Sequence, residues 1–328
     1  MSRQQKVAIM GCGPGGSYLY SLLRRKKPGI EVVLFDMPQH TTCGIKGCAW
    51  GVSWLQFAQL CREGGGIPER YMLGKYNQVL VNQLKVGAEV AMINKPILIE
   101  DLLGGQAPLN PSGVDLNAFD RIVDATGAQR AYLSPCPNPQ VAITIQTRIV
   151  VETLPHPMIF VNRDTGYSWL MPLNEGEAHL GALSHLGLEA ARQDMEKIKH
   201  SLNYSQALCG CIGQIRCHGP VRPFTEGKIW GLGETIGLVD PIAGAGIVPA
   251  MTSAKLMVEN WENAANYERR IWRRYSYMAR EARAVSGVVA GKKTAYLDMI
   301  LPRRAFETIG VKPSISQIIS AILRVRKW

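Results

Sequence analysis

The chain has 328 residues, 46% of them hydrophobic, and a formal net charge of +11. This length suffices for one large or two modest domains, and no apolar run is long enough for a membrane-spanning helix. The polar residues 1–10 do not resemble a signal peptide, so we expect a cytoplasmic protein whose eight cysteines are free thiols.

The first predicted unit is a strand, a glycine-rich turn, a helix and a second strand. Val7–Met10 is apolar, the segment GCGPGGS follows, and helical periodicity runs to about Arg25, before an apolar strand at Glu31–Phe35. Asp36 follows the last glycine of the Gly-x-Gly-x-x-Gly pattern by 20 residues, the spacing of a dinucleotide-binding unit. In such a unit the glycines admit a pyrophosphate to the helix N-terminus, and the acid accepts from a ribose hydroxyl. The predicted cofactor contacts are Gly11, Gly13, Pro14, Gly15, Gly16 and Asp36.

The chain between this unit and residue 134 carries weaker signals. Apolar residues at helical spacing predict a helix over Tyr71–Val86, and short apolar runs predict strands at Glu89–Ile93 and Pro96–Leu102. A strand at Arg121–Asp124 is expected to return beside the cofactor. Gly127 follows it and permits close approach of the backbone to a ligand.

Three prolines, at positions 135, 137 and 139, mark a boundary, and β-rich segments follow it. Their alternation predicts an antiparallel sheet with one covered face, followed by a helix at about Leu188–Leu202. Tyr167 and Trp169 share one face of their strand, because side chains repeat with period two. Two aromatic residues on one face suit an apolar ligand; the alternative is that they fill the core under the sheet. The expected strands are Val141–Val151, Pro157–Asn162, Tyr167–Met171 and His179–Leu183.

The cysteines near the end of this region lack the spacing of a structural zinc site. We therefore expect a close pair or ordinary packing among Cys209, Cys211 and Cys217. A strand over His218–Arg222 is expected to return the chain to the first unit.

The most informative stretch runs from Gly227 to Trp261 and combines a strand, a small-residue loop and a helix. Ile229–Leu232 is apolar, the loop includes residues 243–246, and helical spacing follows it. This order places free backbone N–H groups and the positive end of a helix dipole at the loop, which suits an anion or an electron-accepting ring. The alternative is an ordinary strand–helix connection whose glycines serve only turns.

Together these motifs resemble the FAD-dependent geranylgeranyl reductase family, which has the p-hydroxybenzoate hydroxylase-like fold. The resemblance covers about residues 5–262 and rests on GCGPGGS, Cys43-Gly44, DRIVDATGAQR, YSWLMP followed by Gly181, and the stretch just described. The implied α/β fold has a Rossmann-like FAD-binding domain, an inserted antiparallel-sheet substrate domain and a helical, basic C-terminal segment. The expected boundaries are residues 1–134 with 214–265 for the FAD-binding domain, 135–213 for the substrate domain and 266–328 for the C-terminal segment.

The resemblance also implies roles for individual residues. The family's Tyr-x-Trp-x-x-Pro motif lines the substrate cavity and matches Tyr167, Trp169 and Pro172. The resemblance places Cys43 and Gly44 near the flavin, the alternative being that Cys43 is a small packing residue.

A departure from the family occurs after the late strand, which there ends in Gly-Asp. This chain has Gly233-Glu234 instead, and the longer acid is expected to reach the same FAD hydroxyl. The further cofactor contacts that we expect are Gly127, Gly233, Glu234, Gly244, Ala245, Gly246 and Ile247.

The implied function is that of an FAD-dependent oxidoreductase that reduces carbon–carbon double bonds of an isoprenoid, geranylgeranyl-type lipid by hydride transfer from reduced FAD. The flavin carries the chemistry, so no catalytic side chain is assigned, and no metal is expected. The electron donor is expected to be NAD(P)H or a ferredoxin-like carrier.

Two alternatives remain open at this point. One is a flavin-dependent monooxygenase or halogenase of the same fold, although halogenases carry Trp-x-Trp-x-Ile-Pro where this chain has Tyr-Ser-Trp-Leu-Met-Pro. The other is a non-catalytic FAD-containing lipid-binding protein.

The C-terminal segment holds most of the positive charge. Residues 268–328 contain 14 Lys/Arg and 4 Asp/Glu, a net charge of +10. Their end is a predicted amphipathic helix with a basic terminus bearing Trp328, which suits peripheral contact with the inner membrane surface. The alternative is that its apolar stripe packs against the protein. No nucleic-acid-binding module is present, so nucleic acid is not an expected partner. The stripe is Ile315, Ile318, Ile319, Ile322 and Val325.

Overall fold

The computed structural model describes residues 4–37, 48–137, 139–152, 154–162, 165–174, 176–202, 204–292 and 303–317, together with residue 320. Within these ranges the chain forms two β-sheets and the helices that flank them. The strands are β1 (Lys6–Met10), β2 (Glu31–Phe35), β3 (Gly51–Ser53), β4 (Met72–Val81), β5 (Leu84–Ile93), β6 (Arg121–Asp124), β7 (Val141–Val151), β8 (Met158–Asn162), β9 (Gly166–Asn174), β10 (Glu177–Ser184), β11 (Tyr204–Arg216), β12 (Thr225–Glu226) and β13 (Ile229–Gly231). The helices are α1 (Pro14–Lys26), α2 (Trp54–Glu63), α3 (Pro68–Tyr71), α4 (Lys95–Leu103), α5 (Leu188–Ser201), α6 (Ile247–Glu259), α7 (Ala264–Tyr275), α8 (Tyr277–Val289) and α9 (Arg303–Ile309).

The five-stranded sheet has the order β12-β13-β6-β1-β2 and is parallel except for the edge strand β12. Its interior strand β1 is buried on both faces, as expected of a parallel sheet covered on both sides. Val7 and Ile9 face the hydrophobic cluster that includes α1 and α6, whereas Ala8 and Met10 face a second cluster. The predicted strand–turn–helix–strand unit is confirmed, and the carboxyl ends of β1, β2 and β6 meet at the edge where α1 begins.

The eight-stranded sheet has the order β11-β7-β10-β9-β8-β4-β5-β3, and its neighbouring strands are antiparallel except β4 and β8. Its predicted strands β7 to β10 and the following helix α5 are confirmed. Helix α5 covers one face with Ala191, Met195 and Ile198. The sheet also takes β3, β4 and β5 from the chain before residue 135, so it extends beyond the predicted insertion 135–213.

The predicted helix over Tyr71–Val86 is wrong, because this segment contains most of the antiparallel hairpin of β4 and β5. Asn82 and Gln83 form its two-residue turn with φ of 46° and 66°, the left-handed values that a type I′ turn requires. Val79 and Val86 pair across the hairpin, and both are buried. Apolar residues at helical spacing also fit period two in so short a window, and burial of alternate residues decides for the strand.

The predicted strand Pro96–Leu102 is also wrong, because helix α4 occupies these positions. The Asn94 side chain caps the helix by accepting from the Ile97 N–H at 3.3 Å, and Pro96 stands in the first turn. Gly104 ends the helix with φ of 57°. These are ordinary helix start and stop signals, which the apolar run obscured.

Two predictions in the second half of the chain need correction. Residues 217–224 are irregular, so the strand predicted at His218–Arg222 is wrong. The region predicted as helical from Tyr267 to Ala290 is helical, but it consists of α7 and α8, which meet at Ser276.

The chain after α9 folds back onto β5. The Gly310 carbonyl oxygen accepts from the Glu89 N–H at 2.6 Å, and the Lys312 N–H donates to the Gly87 carbonyl oxygen at 2.8 Å. Of the predicted amphipathic stripe, Ile315 is 63% exposed, and the other four residues lie outside the described ones. Among the helices that the structure describes, none has the length and apolarity to cross a membrane.

Candidate functional site

A cavity of about 1100 Å³ lies between the two sheets. Ligand sites typically enclose about 300–1,000 Å³, so this cavity can hold a large ligand or two ligands. The carboxyl ends of β1, β2 and β6 and the turn after β13 line one end. One face of the eight-stranded sheet, α8 and the segment from α9 onward line the rest. Open α/β sheets bind ligands at the carboxyl ends of their strands.

The N-terminus of α1 opens into the cavity. Gly13 is its N-cap, and among the described residues no side chain caps the free N–H groups of the first turn. A Cβ atom on Gly13 would meet nothing within 4 Å, so the space beside these N–H groups is open. A Cβ atom on Gly11, whose φ is 105°, would lie 2.4 Å from the Ala125 carbonyl oxygen, and one on Gly16 would lie 1.9 Å from the Gly11 carbonyl oxygen. Gly13 thus leaves room for a ligand, whereas Gly11 and Gly16 allow the turn to pack.

Asp36 stands at the end of β2 beside this helix N-terminus. Its Oδ2 accepts from the Cys12 N–H at 3.1 Å, and its Oδ1 accepts from the Met37 N–H at 2.9 Å. Two backbone donors therefore fix the carboxylate at the cavity wall, and each oxygen keeps acceptor capacity for a ligand hydroxyl. Pro14 and Gly15 line the cavity as well.

The loop before α6 supplies a second uncapped helix N-terminus. Gly246 is the N-cap of α6, and no side chain in the described ranges caps the first turn. Asp240 shapes the loop, because its Oδ1 accepts from the N–H groups of Ile242 and Ala243 at 3.0 and 2.9 Å. The predicted contacts Gly244, Ala245, Gly246 and Ile247 all line the cavity.

Gly233 and Glu234 lie at the turn after β13 and also line the cavity. The Glu234 Oε1 accepts from the Arg216 backbone N–H at 3.0 Å, so this acid joins the turn to the end of β11. Its Oε2 lies 3.3 Å from the position that a Cβ atom would take on Gly127, whose φ is 68°. The structure therefore brings Gly127, Gly233 and Glu234 together at the cavity wall.

Tyr167 and Trp169 line the cavity side by side on β9, with ring centroids 5.8 Å apart. The Tyr167 hydroxyl donates to the Ala243 carbonyl oxygen at 2.7 Å, and the Trp169 indole N–H donates to Gln146 Oε1 at 3.2 Å. Both rings therefore pack in the core and also form the cavity wall. Pro172 falls on the opposite face of β9 by strand alternation, and Met171 lines the cavity instead.

The part of the cavity beneath β4 and β5, here called the apolar arm, is bounded by the sheet on one side and by C-terminal residues on the other. None of the side chains named here carries a charge. The C-terminal contribution has no signal in the sequence, because Val285, Val288 and Val289 have the helical spacing of any packed helix. The walls are Val79, Val81, Val86, Val90, Met92, Ile159, Val161 and Met171 from the sheet, and Val285, Val288, Val289, Phe306, Ile309, Val311 and Pro313 opposite.

Lys95, the first residue of α4, is a second cavity residue that the sequence analysis missed. It is 9% exposed and lines the cavity. Within the described ranges no carboxylate or other hydrogen-bond partner meets its ammonium group. The ammonium group is a positive charge at the cavity wall, so it would attract an anionic ligand there. Its sequence context, directly after a helix cap, gives no sign of this burial.

The cysteines and metal ligands give no competing site. In the part of the chain that is described, no group of three His, Cys, Asp or Glu side chains could hold a metal ion. Cys211 and Cys217 are free thiols, but Cys209 is disulfide-bonded, which corrects the expectation of eight free thiols. Burial raises the pKa of the Cys12 thiol to about 12, so this cavity cysteine is protonated at neutral pH. The predicted flavin neighbours Cys43 and Gly44 lie outside the described residues.

The donor set of the cavity fits a dinucleotide such as FAD. Two helix N-termini offer uncapped N–H groups to anionic groups, and Asp36 offers a carboxylate to a hydroxyl. The open space at Gly13 is where a pyrophosphate approaches in such sites. The Lys95 ammonium group adds a positive charge in the same cavity.

Comparison of the sequence with family models and with curated proteins finds no match. Solved structures are similar: a geranylgeranyl bacteriochlorophyll reductase-like protein from Thermoplasma acidophilum has a TM-score of 0.73 at 16% identity, over 98% of each chain. A tryptophan 6-halogenase from Streptomyces toxytricini has 0.68 at 12%, over 99% of this chain and 97% of that one. PqsL of P. aeruginosa, in complex with 2-aminobenzoylacetate, has 0.63 at 15%, over 89% and 99%. The chain therefore has the predicted fold, that of the p-hydroxybenzoate hydroxylase-like flavoproteins.

Proposed function

We propose that the chain binds FAD and uses its reduced form to saturate carbon–carbon double bonds of an isoprenoid, geranylgeranyl-type lipid. The observation that carries the proposal is the continuity of the cavity. Its dinucleotide end, with two uncapped helix N-termini, opens into the apolar arm. FAD bound at that end would share one cavity with a hydrocarbon chain.

Groups of the chain itself account for cofactor binding. The first turn of α1 offers N–H groups to the pyrophosphate, and Asp36 offers its carboxylate to the ribose. The Lys95 ammonium group adds attraction for an anionic part of the cofactor. The N-terminus of α6 stabilises negative charge through its dipole, by the argument that applies to oxyanion sites. Once bound, FAD supplies the hydride chemistry, so no protein nucleophile is required.

The apolar arm accounts for the substrate class. An isoprenoid chain carries no charge, and burial of each of its CH2 groups contributes about 0.8 kcal/mol. The aliphatic walls, among them Val79, Val86 and Ile309, offer such burial. Tyr167 and Trp169 stand where the sheet meets the loop before α6, and there they would orient a double bond.

One similar structure supports this proposal by its name, that of a geranylgeranyl reductase-like protein. The tryptophan 6-halogenase favours a second candidate on the same site, a flavin-dependent monooxygenase or halogenase. The uncharged walls of the apolar arm favour the isoprenoid instead. The third candidate is a lipid-binding protein that keeps FAD only as a structural group.

The proposal includes two partners of the reaction. Electrons would reach the flavin from NAD(P)H or from a ferredoxin-like carrier. The basic C-terminal segment, with 14 Lys/Arg in residues 268–328, would hold the protein at the anionic inner membrane surface, where its lipid would lie.

Flavin reoxidation separates the three candidates. FAD-loaded protein is reduced under argon and mixed in separate runs with a geranylgeranyl lipid, with oxygen, and with oxygen plus halide and an aromatic substrate. We expect the lipid alone to reoxidise the flavin. Turnover that requires oxygen would establish the second candidate, and lipid binding without any reoxidation would establish the third.

A further inference from the structure

Two buried carboxyl groups, Asp240 and Glu281, have no role in the site described so far. Asp240 is fully buried, and Glu281 is 1% exposed. Asp240 Oδ2 and both carboxyl oxygens of Glu281 lack a hydrogen-bond partner within the described chain. Burying ionised carboxylates without partners is strongly unfavourable, so these groups, here called the carboxyl pair, call for a physical explanation.

The two groups act on each other. Burial, and next the charge of Asp240, raise the pKa of Glu281 to about 9. Burial also raises the pKa of Asp240 to about 6, against the lowering effect of the N–H groups of Ala243 and Ile242. Two neighbouring carboxyl groups in a buried site cannot both ionise at low cost, so the pair holds one proton at neutral pH.

The other groups that face the carboxyl pair do not supply a compensating charge. Tyr277 on α8, Tyr167 on β9 and Cys217 after β11 all have pKa values raised by burial, with a further contribution from Asp240, so all three are neutral at pH 7. Arg280 on α8 lowers the pKa of Glu281, but it is exposed to solvent. In the described ranges no cation forms an ion pair with either carboxyl group.

The carboxyl pair lies directly behind the surface proposed for the flavin. The Asp240 side chain accepts from two N–H groups of the loop, its N–H donates to the Ala245 carbonyl oxygen at 3.0 Å, and its carbonyl oxygen accepts from the Gly244 N–H at 2.8 Å. Glu281 stands one helical turn before Val285, which lines the apolar arm. A charge on the carboxyl pair therefore interacts with a charge on a flavin bound at the other side of this loop. The interaction passes through buried protein, where screening is weak.

We propose that the carboxyl pair is a redox-linked proton site, which holds one proton while the flavin is oxidised and takes up a second when the flavin is reduced. This inference rests on the FAD site of the proposed function. Two electrons from the reductant and one proton leave a negative charge on the bound cofactor. The remaining carboxylate of the pair then binds one proton from solvent and becomes a neutral carboxyl group, without accepting an electron. Negative charge thus leaves one side of the loop as it arrives on the other, which makes reduction easier.

The test is the pH dependence of the flavin midpoint potential in the full-length, FAD-loaded protein. The protein is reduced by dithionite in the presence of indicator dyes between pH 5 and 9. Around neutral pH, where the pair holds a single proton in the oxidised protein, we expect the midpoint potential of the wild type to fall with pH at the slope of two protons per two electrons. Towards pH 5 both carboxyl groups of the pair are already protonated in the oxidised protein. The slope of the midpoint potential against pH should therefore fall to that of one proton per two electrons.

Two variants and one control identify the group. In Asp240→Asn, Glu281 is the remaining acid and stays protonated in both redox states. In Glu281→Gln, the amide donates to Asp240, so proton uptake by Asp240 moves to lower pH. Both variants should therefore show the one-proton slope at pH 7. Glu196→Gln, at a 43% exposed acid of α5 paired with Lys199, should keep the wild-type slope. Reduced-minus-oxidised infrared spectra of the wild type should show a new protonated-carboxyl band, which needs no variant.

A one-proton slope across the whole range in the wild type would overturn the inference, as would a two-proton slope at pH 7 that survives in both variants. FAD absorbance is recorded before each titration, so a chain that binds no FAD contradicts the proposed function and the proton site together. A protein with the two-proton slope that leaves lipid unreduced would contradict only the proposed substrate.

Discussion

The hydroxyl group of Tyr167 donates a hydrogen bond to the carbonyl oxygen of Ala243 at a distance of 2.7 Å. Tyr167 belongs to the eight-stranded sheet, and Ala243 belongs to the loop before α6. One bond thus joins the surface proposed for the substrate to the surface proposed for the flavin. The Tyr167 hydroxyl also lies close to the backbone of the next residue, Gly244. A Cβ atom there would lie 2.4 Å from the hydroxyl oxygen, so the contact requires a glycine.

Tyr167→Phe should keep the ring beside Trp169 and remove only the hydroxyl group. The Ala243 carbonyl then loses its donor, which should lower the free energy of unfolding by about 1 kcal/mol. We expect FAD content to stay unchanged and flavin reoxidation by lipid to slow several-fold, because the two surfaces lose their fixed separation. Thermal unfolding and stopped-flow absorbance measure the two effects. A reoxidation rate equal to that of the wild type would limit the bond to a role in folding.

Gly13→Val should abolish FAD binding in a folded protein. The backbone at Gly13 has φ of −65°, which valine tolerates, and a Cβ there meets no protein atom within 4 Å. The branched side chain would therefore occupy only ligand space. FAD absorbance after reconstitution and circular dichroism report binding and folding separately. Gly29→Ala, at another open glycine after α1, should change neither. Full FAD content in folded Gly13→Val protein would contradict the pyrophosphate site.

Lys95→Met should weaken FAD binding by a factor of ten to a hundred, because charge-assisted hydrogen bonds contribute about 1.5–3 kcal/mol. Lys95→Arg keeps the charge and should lose much less. Fluorescence titration at two salt concentrations gives both affinity and its salt dependence, which should be weaker in the methionine variant. Lys85→Met, at an exposed lysine of β5, is the control. Equal affinity in Lys95→Met and the control would remove Lys95 from the cofactor site.

Trp169→Phe should raise the KM for lipid while FAD content stays intact. Trp169 is 4% exposed and bonded to Gln146, so alanine would cost about 3–5 kcal/mol of stability, whereas phenylalanine retains most of the packing. The matched control is Pro172→Ala, on the opposite face of the same strand. If both variants lose turnover in parallel with thermal stability, Trp169 has only a packing role.

The basic C-terminus should bind anionic vesicles. Basic residues near an anionic surface contribute about 1 kcal/mol each, and the attraction falls as salt is added. A chain ending at Gln317 is the appropriate comparison, because Val311, Pro313 and Gln317 line the cavity and must remain. We expect co-sedimentation of the full chain with anionic but not neutral vesicles, and its loss in the shortened chain. Equal binding to both kinds of vesicle would exclude an electrostatic membrane contact.

The sequence predicted the dinucleotide end of the cavity because its geometry is local. Gly11 needs a positive φ, Gly13 needs open space, and Asp36 needs only to end the next strand. Each requirement selects a residue type at a fixed spacing, so a pattern in the chain reports it. The loop before α6 follows the same logic, with Gly244 at φ of 65°.

The apolar arm could not be predicted in this way, because it depends on packing between distant parts of the chain. The hairpin turn at Asn82 and Gln83 carries no glycine, so it lacks the usual turn signal. Val311 closes the arm against β5 through a bridge to Ala88, and no local pattern announces this contact. Lys95 has the same limitation, since only the tertiary fold buries it.

The mass of the lipid product tests the central claim most directly. A geranylgeranyl lipid is incubated under argon with a known amount of FAD-loaded protein reduced beforehand, and the extract is analysed by mass spectrometry. We predict a product that has gained two hydrogen atoms per reduced double bond, in an amount that matches the flavin oxidised. Lipid of unchanged mass in the presence of flavin that stays reduced would contradict the account.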